Sequence, residues 1–202
     1  PPFSNLFPYP SLFRSYLVNV PGRFDDEAVI INLTEGQIDT VTASETELRI
    51  ADFEADFPSL VVNGRAQGPF KDVMTALNHP RVGYADYLSL DLEQVGGTLD
   101  AQMRFALPLK PSLPAEEVEV DISGQLIDVR TNALFAGLPI REANLQTVID
   151  GDGLVAKGTV TAGGIPLTIN WHQYFQASAD IGTALDFRGT MTDEHLAGLG
   201  FN

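Results

Sequence analysis

A chain of 202 residues with 12 Lys plus Arg, 27 Asp plus Glu and no cysteine is long enough for one sizeable core, burying roughly 70% of its unfolded surface. The formal charge of −15 repels phosphate backbones, and no basic stripe interleaved with aromatics offsets it, so nucleic acid is excluded as an expected partner. Lack of cysteine rules out disulfides, thiolate zinc sites and a thiol nucleophile, and no apolar run reaches the roughly 18 to 20 residues of a spanning helix.

Residues 1–20 read as a Pro-rich, aromatic lead-in carrying Phe3, Phe7, Pro8, Tyr9 and Pro10. Within it Ser11 can cap a short helix through Val18, with Leu12, Phe13, Tyr16 and Leu17 on its apolar side, which Pro21-Gly22 ends. The start at Pro1, without Met, reads as a processed or excised piece. Residues 21–202 form a single β-rich unit. From Ala28 the apolar period is two, giving strands near 28–33 and 37–43 separated by Glu35-Gly36, then one with Leu48 and Ile50, and one over 59–66 through Leu60 and Val62.

One helix interrupts the series. Pro69 suits the first position, Phe70, Val73, Met74 and Leu77 recur at i, i+3, i+4 and i+7, and Asn78-His79-Pro80 stops it. Leu88, Leu90 and Leu92 then alternate with polar residues before a Gly96-Gly97 turn. The long return strand places Leu99, Ala101, Met103, Phe105, Leu107 and Leu109 on one side, and Pro108, Pro111 and Pro114 break it.

Val118, Val120 and Ile122 open the second part, and 124–130 follows as a further strand. Turns at Asp150-Gly151-Asp152-Gly153 and Gly163-Gly164 bracket 154–161. Ile165, Leu167, Ile169 and Trp171 alternate with polar residues in the cleanest amphipathic strand, 181–189 is the last strand, and Thr192 caps a short terminal helix. The order around Gly36-Gln37-Ile38 is echoed around Gly124-Gln125-Leu126, dividing the unit into related halves at about 21–110 and 115–202. The fold class that follows is mostly β: an extended, curved antiparallel sheet, groove-like or taco-like, with one or two short helices.

Chemistry-bearing residues are sparse. His79, His172 and His195 have no second histidine or carboxylate at a metal-ligating spacing. In the Asp150–Gly153 stretch, Leu154 and Thr161 occupy positions where a calcium loop needs oxygen ligands, which leaves a plain turn and no metal. Asp25-Asp26-Glu27 and Glu116-Glu117 are neighbours that a strand would point apart, and no nucleophile elbow or phosphate-cradling glycine loop is present. The expectation is a protein that is not an enzyme and uses no cofactor.

What remains is the apolar series. One or two short helices are too little to cover so many strands unless the sheet folds on itself. The candidates for lining an open groove and contacting an acyl chain are Met103, Phe105, Leu107, Ile165, Leu167, Ile169, Trp171, Leu185 and Phe187. The alternative is a structural or protein-interaction scaffold whose apolar face is wholly internal.

Residues 118–175, with Ile127-Asp128-Val129, Gly137-Leu138-Pro139-Ile140, Asp150-Gly151-Asp152-Gly153-Leu154 and Gly163-Gly164-Ile165-Pro166-Leu167, resemble the central domain of the AsmA-like proteins of the YhdP type. Residues 60–109 are similar in their order of helix, alternating leucines and Leu107-Pro108-Leu109, as is Phe187-Arg188-Gly189-Thr190 before Leu199-Gly200. The resemblance spans 21–202 and lies in texture and order. It implies a periplasmic fragment of a larger bacterial envelope protein, anchored in the inner membrane and concerned with outer membrane biogenesis. The partners it implies are neighbouring segments of that protein and phospholipid conducted between membranes along a β-sheet groove.

Overall fold

The computed structural model describes residues 15–18, 21–24, 27–77, 92–114, 117–135, 138–175 and 182–192. The helix read at the start of the chain is corrected where it can be seen: Ser15–Val18 is a strand, β1, paired antiparallel to residues 35–38. Its backbone groups gain a partner on an otherwise open sheet edge, a tertiary gain that outweighs weak helical periodicity. The strand read over Leu88 and Leu90, and the terminal helix after Thr192, lie outside the described residues.

Eleven strands make one antiparallel sheet. After β1 come β2 (Gly22–Phe24), β3 (Ala28–Ile38), β4 (Val41–Ala51), β5 (Ser59–Pro69), helix α1 (Phe70–Leu77), a 3-10 turn at Leu92–Gln94, β6 (Gly96–Pro108), β7 (Glu119–Phe135), β8 (Leu138–Ile149), β9 (Gly153–Ala162), β10 (Ile165–Tyr174) and β11 (Thr183–Gly189). From β3 to β11 the spatial order is the chain order, and β1 and β2 both pair with β3. The fold is therefore mostly β, a curved meander that does not close, with one short α-helix among the described residues.

Three turn readings shift. Glu35-Gly36 is not a turn but lies inside β3, opposite Ser44 and Ala43, and the chain reverses at Asp39-Thr40, where Asp39 has φ 53°. Aspartate tolerates that left-handed conformation better than most residues, so the Asp-Thr pair makes the turn without glycine. Gly96-Gly97 likewise begins β6 instead of ending a hairpin, and Leu92 belongs to the 3-10 turn. Gly124 does not separate two strands: β7 runs through it, because a Cβ there would stand 2.5 Å from the Cβ of Ala101 on β6. Glycine marks close backbone approach here, not a break.

Curvature has a local cause. The β7–β8 ladder shifts register between Leu126 and Val129, between Val129 and Thr131, and between Thr131 and Phe135, and the β8–β9 ladder between Arg141 and Asn144. Asp128 and Glu142 sit in those irregular stretches at φ 50° and 51°. Bulges bend and overtwist a sheet, so the C-terminal strands curl, while β3–β4 keeps one register from Ala28–Ala51 to Ile38–Val41. Helix α1 closes one end of the curl. Phe70, Val73 and Met74 are buried in the same core as Leu99, Ala101, Leu145, Ile169 and Trp171.

Candidate functional site

In an antiparallel ladder, directly paired residues share a face. Register therefore assembles the apolar face row by row. One row runs Phe24, Val29, Ile50, Leu60, Leu107 across β2 to β6. The next runs Ile31, Leu48, Val62, Phe105, Val120 across β3 to β7. Nearer α1, Gly64, Met103, Ile122 and Ile149 follow, then Ala66, Ala101, Gly124 and Thr147.

The face is treated differently in the two parts of the molecule. On β10, Ile165, Ile169 and Trp171 are buried while Pro166, Thr168 and Asn170 are exposed, the alternation expected when one face is dry and one wet. On β4 and β5 that contrast is weaker: Leu48, Ile50, Leu60 and Val62 are half-buried, as are Glu47, Val61 and Asn63 on the other face, where Arg49, Arg65 and Gln67 are exposed. The sequence alternates equally well in both parts, so the difference lies in packing. The curled strands β7–β10 pack together and on Phe70, whereas β3–β5 carry an apolar face that is only partly covered among the described residues.

The proposed groove residues divide along this line. Leu107 is half-buried beside Leu60, while Met103 and Phe105, half-buried on the rows of Gly64 and Val62, also pack against the core and so straddle the line. Ile165, Ile169 and Trp171 lie in the packed part. Leu167 and Leu185 are half-buried there, and Phe187, opposite Ile169 on the edge strand β11, is 57% exposed. The packed part retains a cavity of about 50 Å³ whose lining includes Phe70, Leu126, Ile140, Leu145, Ile169 and Trp171. Ligand pockets for drug-sized molecules run to roughly 300 to 1,000 Å³, so this void holds at most a few methylenes. Reading the sequence alone missed Val29, Ile31, Leu48, Ile50 and Val62 as partners of the half-exposed face, although their alternation was visible.

Polar clusters elsewhere are satisfied within the fold. A shallow depression of about 600 Å³ on the C-terminal strands is lined in part by Asp128, Glu142, Asn144, Thr159 and Arg188. Inside it the Asp128 N–H donates to Asn144 Oδ1 at 3.2 Å, Asn144 Nδ2 donates to the Glu142 carbonyl at 3.0 Å, and Thr161 Oγ1 donates to Glu142 Oε2 at 3.2 Å. These bonds brace the bulges and orient no group toward a common point. In the Asp150–Gly153 turn, Asp150 Oδ1 accepts the N–H groups of Asp152 at 2.9 Å and Gly153 at 3.2 Å, an Asx arrangement. His172 stacks on Tyr174 with centroids 4.1 Å apart. Among the described residues no group of three or more His, Asp or Glu could hold a metal ion, and no helix is long and apolar enough to cross a membrane.

On the polar face Arg65 and Asp100 form a two-bond pair, Nε to Oδ1 at 2.7 Å and Nη2 to Oδ2 at 2.6 Å. The Arg65 guanidinium holds the Asp100 carboxyl below the usual carboxylate range. Arg104 donates to both Glu119, at 3.2 Å, and Asp121, at 3.1 Å. These ion pairs stitch β5, β6 and β7 on the side away from the apolar rows.

Compared with family models, curated proteins and solved structures, the chain matches none of them significantly. The fold and this face therefore define its class: a non-closing antiparallel β meander with one part packed and one part presenting half-exposed apolar rows.

Proposed function

We propose that the chain is a non-catalytic hydrophobic-groove module that binds phospholipid acyl chains along the rows of β3 to β6. The observation that carries this is the incomplete burial of the paired apolar rows on β4 to β6, where Leu48, Ile50, Leu60 and Val62 are half-buried beside Phe105 and Leu107. Leaving such a continuous set partly in water forgoes burial worth about 25 cal/mol per Å², and contiguous apolar surface of this kind marks an interaction site. A saturated chain laid across the rows would restore that burial without any polar group of its own to satisfy.

The resemblance to AsmA-like proteins supports placing the module in the periplasm, as part of an inner-membrane-anchored envelope protein that conducts phospholipid between membranes. Transfer is then passive, with the polar face in water. The test is displacement of an environment-sensitive fluorescent acyl probe by phospholipid, in the wild type and in Val62→Asp. The wild type should bind and the variant should lose binding while keeping its circular dichroism spectrum. A folded wild type that gives no probe signal would instead favour the scaffold reading, in which these rows meet protein.

A further inference from the structure

The two ends of the half-exposed face differ. At the α1 end the face is shut: Phe70, Val73 and Met74 are buried against it. Thr40 Oγ1 of the β3–β4 turn donates to Asp72 Oδ2 at 2.5 Å, and Lys71 Nζ to Glu93 Oε2 at 2.8 Å, fastening the helix to the turns on either side of it. At the opposite end, where β4 runs into β5, the connection 52–58 carries Phe53 and Phe57, 44% and 47% exposed, and Phe24 on the outermost row is 76% exposed. The Pro58 carbonyl accepts the Leu109 N–H at 2.7 Å, which fixes the loop beside the end of β6.

That open end is acidic. The loop contributes Asp52, Glu54 and Asp56 and no cation. Nearby Lys110 is engaged by Glu117, and Asp52 accepts the Ser59 hydroxyl. Three carboxylates within about 10 Å of a bound head group each repel a negative charge by about 0.4 kcal/mol in water-like surroundings, and a chain of net charge −15 adds to the same field. Exposed aromatic rings, with an apolar body beside a wet rim, suit the glycerol region of a lipid.

Building on the acyl-chain reading, we infer that the face takes its ligand tail first from the β4–β5 loop end, leaving the head group at an acidic aromatic rim that selects zwitterionic phospholipids over anionic ones. The tail then points toward α1, which sets the depth of insertion.

The experiment compares lysophosphatidylcholine with lysophosphatidylglycerol of the same acyl chain, read by displacement of an uncharged fluorescent probe from the full chain, at low and high salt. The choline lipid should bind about five- to tenfold tighter at low salt, and the gap should narrow at high salt. The double variant Glu54→Lys, Asp56→Lys, whose substitutions lie in an exposed loop, should erase or reverse the preference. Equal binding of both lipids by the wild type, or unchanged preference in the double variant, overturns the inference while leaving the groove intact. Binding of neither lipid by folded protein removes the acyl-chain reading and this inference together.

Discussion

Leu60 and Leu107 face one another across β5 and β6 on the row that also holds Val29 and Ile50, and none of the four is buried. Ile169, an equally apolar strand residue on β10, is 4% exposed. Truncation should separate the two environments. Ile169→Ala is expected to cost about 2 to 5 kcal/mol through lost burial and a cavity, whereas Leu60→Ala or Leu107→Ala should cost about 1 kcal/mol or less. Urea denaturation of the three variants checks this, and equal losses would mean that the β3–β6 rows are as dry as the packed core.

Gly124 and Ala101 form a second diagnostic pair. A Cβ at position 124 would meet the Asp100 carbonyl oxygen and the Ala101 Cβ, each at 2.5 Å, so Gly124→Ala must push β6 from β7. The expected loss is about 1 to 3 kcal/mol, as for overpacking generally. Gly124→Val should be worse. Ala101→Gly in the Gly124→Ala background should recover part of the loss, and a double-mutant cycle by thermal or urea unfolding measures how much.

The Arg65–Asp100 pair gives a pH signature. Because Asp100 has a folded pKa below its unfolded value, its contribution to stability is fully present above the ordinary carboxylate range and is lost as pH falls through the lower folded value. Both groups are partly exposed, so the contribution is modest. Asp100→Asn should lower stability at neutral pH by about 0.2 to 1 kcal/mol. Wild type and variant should converge as pH falls through the lowered folded value of Asp100, and urea midpoints followed from neutral to acid pH would reveal a gap that fails to close.

Glu45 occupies a bulge in β4 at φ 50°, where the β4–β5 register shifts between Ser44 and Glu47. Glutamate has no special tolerance for the left-handed region, which costs a residue with a Cβ about 1 to 2 kcal/mol, while glycine costs about 0.4 to 1 kcal/mol through the unfolded chain. Glu45→Gly should therefore be neutral to stabilising by up to about 1 kcal/mol. Glu45→Val should destabilise, since branching at Cβ aggravates the same strain. Differential scanning calorimetry distinguishes the pair.

Much of this fold was readable because Ile165, Leu167, Ile169 and Trp171, or Leu99 through Leu107, alternate with polar residues in a way that only a two-faced strand explains. Helix α1 was equally plain from Phe70, Val73, Met74 and Leu77 and a proline before it. Turns were harder. Gly36 and Gly124 are glycines inside strands, and glycine signals a turn or a close backbone approach with the same letter. Bulges at Glu45 and Glu142 leave almost no sequence trace, since glutamate is not a side chain that a left-handed backbone prefers, and Asp128 suits that backbone but is one aspartate among many. They decide where the sheet bends, so the sequence could propose an apolar face but not say which strands would close over it. Ile169 and Leu60 look alike as letters; the packing of β7 to β10 against one another and Phe70 puts one in the core and leaves the other half-buried.

The most direct check of the central claim is native mass spectrometry of the chain purified without detergent from bacterial cells, before and after Val62→Asp. Acyl-chain binding along β3 to β6 predicts a wild-type species carrying phospholipid mass and an otherwise folded variant without it. A clean protein mass for the wild type that stays unchanged when phospholipid is added would contradict it.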